Sequence, residues 1–98
     1  MEIRFHKRAI SDAREIYQYY LAVSQDLGDE FWRELEESLE RARQHPSRNH
    51  FDSLGVGLRR VNLKKFPVHF LYRVFDDYIR VTTVRHDRRK PSYGTSRR

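Results

Sequence analysis

The spacing of the apolar residues changes abruptly near Gly57, and this change limits the folds open to the chain. Before it, Ile10, Ala13, Ile16, Tyr17, Tyr20 and Leu21 recur at three and four, as do Leu27, Phe31, Leu35, Leu39 and Ala42. Such stripes belong to amphipathic helices. After it, LRRVNL, VHFLYRVF and YIRVTTVRH alternate with a period of two and are rich in Val, Ile, Tyr, Phe and Thr, the pattern of half-buried strands. A further alternating stretch, EIRF, opens the chain with Ile3 and Phe5 on one side. The order is therefore β-α-α-β-β-β, an α+β fold in which a helical hairpin packs on a small, mainly antiparallel sheet.

Local signals place the ends of these elements. Ser11 is a candidate N-cap for the first helix, with Asp12 in its first turn. Ser24 to Gly28 interrupts the stripe, and Pro46 stops the second helix. So short a link predicts an αα-hairpin. Residues 45–57 form a loop that Phe51 and Leu54 pin to the core. Asp76 and Asp77 suit a tight turn between the last two strands, and Pro67 suits a strand edge.

Composition narrows the chemistry. With 98 residues, 38% of them hydrophobic, the chain makes a single domain, 1–98, that closes at most two layers. It has no cysteine, so disulfides, thiolate zinc sites and cysteine nucleophiles are excluded. His45 and His50 stand five apart in irregular chain with no matching ligand pair, and no metal site or cofactor is expected. No apolar run is long enough to span a bilayer and no signal-peptide core follows Met1, so a cytoplasmic protein is expected, with no membrane partner.

Charge divides the chain in two. Residues 1–55 carry 8 basic and 11 acidic side chains, while residues 56–98 carry 12 basic and 3 acidic ones. The acids include Glu30, Glu34, Glu36, Glu37 and Glu40 on the second helix, a solvated face with a Glu37–Arg41 pair. The basic half ends in a tail, 87–98, and points to a polyanion or an acidic protein as partner.

Alternation assigns side chains to faces. On the middle strand His69, Leu71 and Arg73 oppose Val68, Phe70, Tyr72 and Val74. On the last, Arg80, Thr82, Val84 and His86 oppose Ile79, Val81, Thr83 and Arg85. Together with Arg59 or Arg60 they predict a basic concave platform on the side away from the helices. If such a platform cleaved RNA, His69 or His86 would serve as base or acid, Arg59 or Arg88 would stabilise charge, and Tyr93 would stack on a base or orient a phosphate. Target contacts would come from Arg60, Lys64, Lys65, Arg73, Arg85, Arg88, Arg89 and Lys90, because guanidinium and ammonium groups suit phosphate and carboxylate. Structural alternatives stand beside these roles: His86 capping the strand, His69 packing beside Tyr72, Tyr93 anchoring the tail. Trp32, beside the second stripe, marks a candidate contact patch.

The segments AREIYQYY, FWRELEESLERARQHP, GVGLRRVNLKKFPVHFLYRV and VRHDRRKPSY, in this order and spacing, resemble the RelE/ParE superfamily of toxins from type II toxin–antitoxin modules. FPVHFLYRV and HDRRKPSY look more like the ParE-type, plasmid-stabilisation branch. The resemblance implies a growth-inhibiting toxin, bound and neutralised by a small cognate antitoxin in a hetero-oligomer. In the ParE-like branch the toxin inhibits DNA gyrase by binding. In the RelE-like branch it enters the 70S ribosome and cuts mRNA through the 2′-hydroxyl, commonly with an arginine where His69 stands here.

Overall fold

The computed structural model describes residues 1–98. Six elements follow one another: β1 (Glu2–Phe5), α1 (Lys7–Val23), α2 (Gln25–Gln44), β2 (Arg59–Asn62), β3 (Val68–Val74) and β4 (Tyr78–His86). They form one four-stranded sheet in the order β1-β4-β3-β2, in which β1 runs parallel to β4 and the other pairs are antiparallel. The element order read from the periodicity is the one observed. No helix is long and apolar enough to cross a membrane.

The helical hairpin is tighter than its sequence suggests. Ser24 alone joins the helices: its N–H donates to the Tyr20 carbonyl that ends α1, and its hydroxyl accepts from Leu27 N–H to start α2. Gly28 lets the helices meet, since a Cβ there would stand 2.4 Å from Leu21 Cδ2. α1 begins earlier than expected. Its cap is His6, whose Nδ1 accepts from Arg8 N–H at 3.0 Å, whereas Ser11 lies inside the helix and donates to the Lys7 carbonyl. The cause is β1. His6 N–H still donates to Val81 at the end of the parallel ladder, so the chain enters the helix with no linker.

The helices bury their stripes on one sheet face. Tyr20, Phe31 and Phe66 meet ring to ring, with centroids 4.8 Å apart for Tyr20–Phe66 and 5.5 Å for Phe31–Phe66. Val68, Phe70, Tyr72, Ile79, Val81 and Val84 supply the sheet side of this cluster. That set corrects the strict alternation expected along β4, which put Val84 opposite Ile79 and Val81. The register shifts between Leu71 and Tyr72, so Leu71 pairs with Thr83 while Tyr72 pairs with Val81. Thr82 is the extra residue of a bulge, and the bulge brings Val84 back to the helical side.

The other sheet face is not open along its length. His69, Leu71, Thr83 and Arg85 are all buried on it. Loop 45–58 and the tail beyond His86 lie over them: Asp52 of the loop reaches Arg85, and Thr83 donates to the Gly94 carbonyl. Gly94 has φ +80, and a Cβ there would stand 2.3 Å from Thr83 Oγ1, so the tail seats only with glycine at this position.

Candidate functional site

Of the residues singled out, His69, Arg85 and Tyr93 are drawn into two buried networks that fix the tail. The first is centred on Arg85, which β4 projects under the tail. Its Nε donates to His69 Nε2 at 2.7 Å, its Nη1 to the carbonyls of Pro91 and Tyr93 at 2.6 and 3.0 Å, and its Nη2 to Asp52 Oδ1 at 3.4 Å. Because guanidinium can only donate, His69 Nε2 must accept, and the ring hydrogen sits on Nδ1. Nδ1–H then donates to Asp87 Oδ1 at 2.7 Å. Both ring nitrogens are thus occupied, and the side chain is 2% exposed. Burial is the main cause holding its pKa below the ordinary imidazole value, with Asp87 acting the other way.

Asp52 anchors this network from the loop. Its Oδ2 accepts from Leu54 and Gly55 N–H, which turns the loop back on itself. Arg60 of β2 stands 3.8 Å from Asp52 and 3.9 Å from Asp87 and completes a chain of alternating charges. Burial lowers the Arg85 pKa, opposed by Asp52.

The second network closes the edge of β4. β1 reaches only as far as Phe5, opposite Val81, so the upper half of β4 lacks a neighbouring strand on that side. Asp12 of α1 takes its place. Its Oδ2 accepts from Val84 N–H at 3.1 Å and from Arg97 at 2.6 Å, and its Oδ1 accepts from the Tyr93 hydroxyl at 2.7 Å. Arg97 also donates to the Thr82 carbonyl. A buried backbone donor left by the short strand is thereby satisfied, as burial requires.

The four candidate catalytic groups do not share one open pocket. His69 is enclosed as described. His86 is half-buried and its Nδ1 accepts from Arg88 N–H, so it caps the strand end. Arg59 lies over the Phe51 ring at 4.1 Å and donates to the Ser47 and Asn49 carbonyls. Tyr93 spends its hydroxyl on Asp12, with Arg89 and Arg97 against its ring. No cluster of His, Asp or Glu is arranged to hold a metal.

The candidate contact residues are likewise divided. Arg85, 2% exposed, is not presented to a partner, which corrects its reading as a target contact. Lys64 and Lys65 donate their N–H groups to Glu34, and Lys65 Nζ lies 3.2 Å from Glu30, so α2's acidic face neutralises part of this turn. Arg73 donates to the Val56 carbonyl, and its buried Nε has no partner. Arg88, Arg89 and Lys90 are exposed on the tail. Beside them Glu15, Ile16, Tyr19, His86, Arg89 and Tyr93 line a groove of about 320 Å³. A second, mostly apolar groove of about 280 Å³ runs past Phe5, Ile10, Trp32 and Leu39 on the hairpin.

Asp12 and Asp52 were not legible as site residues. A signal for Asp12 did exist: with Ala9, Ala13 and Ile16 it falls on the buried stripe, where a carboxylate needs a partner.

Comparison with known proteins agrees with the architecture. The family described as "ParE toxin of type II toxin-antitoxin system, parDE" matches residues 3–91. Among solved structures the chain is similar to "Chromosomal ParDE TA system from P. aeruginosa", with 17% identity, a TM-score of 0.77, and coverage of 88% of this chain and 95% of that one. None of the curated proteins compared matches it.

Proposed function

Since the chain belongs to the ParE toxin family of type II toxin–antitoxin systems and is the toxin of such a module, with a cognate antitoxin, we propose that it acts by binding DNA gyrase and not by cleaving RNA. The observation that carries this reading is the enclosure of His69. General acid–base cleavage needs a nitrogen free to take the 2′-hydroxyl proton. Here Arg85 and Asp87 hold both nitrogens of His69, Arg88 N–H holds Nδ1 of His86, and Tyr93 and Arg59, the groups that would assist either histidine, are spent on other partners.

What the fold leaves accessible is a binding surface. Arg88, Arg89 and Lys90 stand on a tail held at both ends, by Asp87 on His69 before them and by Arg85 and Asp12 at Pro91, Tyr93 and Arg97 beyond them. A pre-ordered basic segment loses little conformational freedom on contact with an acidic or phosphate-bearing target. The antitoxin has a separate seat in the apolar groove of the hairpin. Trp32 and Ile10 are 38% and 45% exposed there, the kind of surface an amphipathic segment covers.

Supercoiling by gyrase and cleavage of translated message, measured with one preparation, test the reading. Loss of supercoiling at toxin concentrations that leave message intact is expected. Codon-positioned cuts with gyrase unaffected would establish the ribosome-dependent alternative instead.

A further inference from the structure

The face away from the helices is closed at the His69–Arg85 end but not at the hairpin end. There the register sets three arginines side by side. Arg4 of β1 pairs with Arg80 of β4, and Arg80 pairs with Arg73 of β3. Neighbouring strands lie about 4.8 Å apart, so the three stems leave the sheet within about 10 Å. Like charges directly opposite in a sheet are destabilising, yet no Asp or Glu side chain pairs with Arg73 or Arg80.

The row is also held in place. Arg4 is fixed over the Tyr78 ring at 3.9 Å, and Tyr78 stacks on Phe75 with centroids 4.6 Å apart. Glu2 takes one edge of Arg4. Arg80 Nε donates to the Arg98 carbonyl, and Arg73 is tied to the Val56 carbonyl with its Nε unpartnered. Glu2 and Asp77 bound the row on the turn side. On its other side the charge continues. His6, at the start of α1, has its pKa lowered first by burial and then by Arg80, Arg97, Arg8 and Lys7, so these cations share one field.

We propose that the Arg4–Arg80–Arg73 row is a binding site for the sugar–phosphate backbone of nucleic acid. Planar guanidiniums spaced across a sheet, one held by stacking and two by carbonyl hydrogen bonds, present their remaining donors to successive phosphate oxygens. An anion bridging them removes the repulsion that the bare row carries. The site does not depend on which enzyme the toxin inhibits, and it is separate from the tail residues assigned to target contact.

Fluorescence anisotropy with a labelled 12-nucleotide oligo(dT) strand and a 12-base-pair duplex tests it. The full chain is compared with the Arg4→Gln/Arg80→Gln double variant and with a charge-matched control, Arg33→Gln/Arg48→Gln. Circular dichroism confirms that each is folded. The row variant should bind at least about tenfold more weakly, and its salt dependence should flatten by about 1.4 for the strand or about 1.8 for the duplex in log–log slope, the value for two lost phosphate contacts. The control should change less than about threefold. Tyr78→Ala, which frees Arg4 without removing charge, should weaken binding by several-fold. Equal weakening in row variant and control would mean only general attraction to a basic protein and would overturn the site. So would unchanged oligonucleotide binding accompanied by lost antitoxin binding, which would reassign the row to a protein partner. If Arg4→Gln/Arg80→Gln does not fold, Tyr78→Ala decides: unchanged affinity in the folded single variant overturns the proposal.

Discussion

Replacing Arg85 separates a structural from a target-binding role for the most buried cation of the chain. Arg85→Ala removes four hydrogen bonds and leaves His69 Nε2, the Pro91 and Tyr93 carbonyls and Asp52 without this donor. Asp52 is 3% exposed, and Arg60, at 3.8 Å, is its remaining cation. Breaking a buried ion pair from one side costs about 3–5 kcal/mol, a large part of the roughly 5–15 kcal/mol of a small domain. Arg85→Lys keeps the charge but cannot reach in three directions at once, and about 2–3 kcal/mol should be lost. Arg85→Met/Asp52→Leu removes both charges and should cost less than Arg85→Ala. Urea unfolding measures these values, and hydrogen exchange at Arg89, Tyr93 and Thr95, whose amides bond within the tail, reports release of the tail. An Arg85→Ala protein destabilised by less than about 1 kcal/mol, with these amides still protected, would refute the reasoning. Loss of toxicity at unchanged stability would return Arg85 to the target surface.

Three further outcomes follow from the same contacts. Asp12→Asn trades one acceptor oxygen for a donor amide facing Arg97, Val84 N–H and the Tyr93 hydroxyl, and it should lower unfolding free energy by about 2–4 kcal/mol in urea. Gly94→Ala forces a Cβ into Thr83 at positive φ and should cost about 2–4 kcal/mol, whereas Gly57→Ala, also at positive φ but meeting only the flexible end of Arg73, should cost less. His69 is held neutral when folded, so its pKa is below the unfolded value near 6.5. Its contribution is complete above about pH 6.5 and is lost as pH falls toward the folded pKa, with a slope of at most about 1.4 kcal/mol per pH unit. His6 shifts in the same direction, so an NMR titration of the His69 ring, together with urea midpoints at pH 7.5 and 5.5, isolates its share; a ring titrating at its ordinary value would contradict the closed network.

The element order was legible because each segment's apolar spacing is consistent over several turns or pleats. Strand β4 was bounded correctly, since YIRVTTVRH is uninterrupted. The faces of β4 were not legible, because a bulge inserts one residue without any glycine or proline to mark it. Nor was the first cap, because His6 takes that role only through the parallel ladder that positions it. Charge and residue type single out His69, Arg85 and Tyr93 in the sequence, but not the structural contacts that the fold gives them. In the sequence His69 reads as an acid–base candidate and Arg85 as a target contact. Asp52, 33 residues before Arg85, and Asp87 turn that pair into the closure of a tail. Such pairings depend on how loop 45–58 and the tail cover the sheet, which no local spacing records.

The central claim is that a structurally fixed basic segment inhibits by binding. It is tested most directly by titrating the toxin onto intact gyrase, with Arg88→Ala/Arg89→Ala measured beside the unaltered chain. Neither arginine is buried; Arg89 only lies on the outside of the Tyr93 ring and near exposed Glu15, while the Arg85 and Asp12 hydrogen bonds stay in place, so the variant should fold normally. A saturable, stoichiometric complex is expected, and the variant should weaken it by about tenfold, or about 1.4 kcal/mol. The toxin concentration that halves supercoiling should rise by the same factor. No complex with gyrase, or an affinity and inhibition unchanged by loss of both arginines, would contradict the claim.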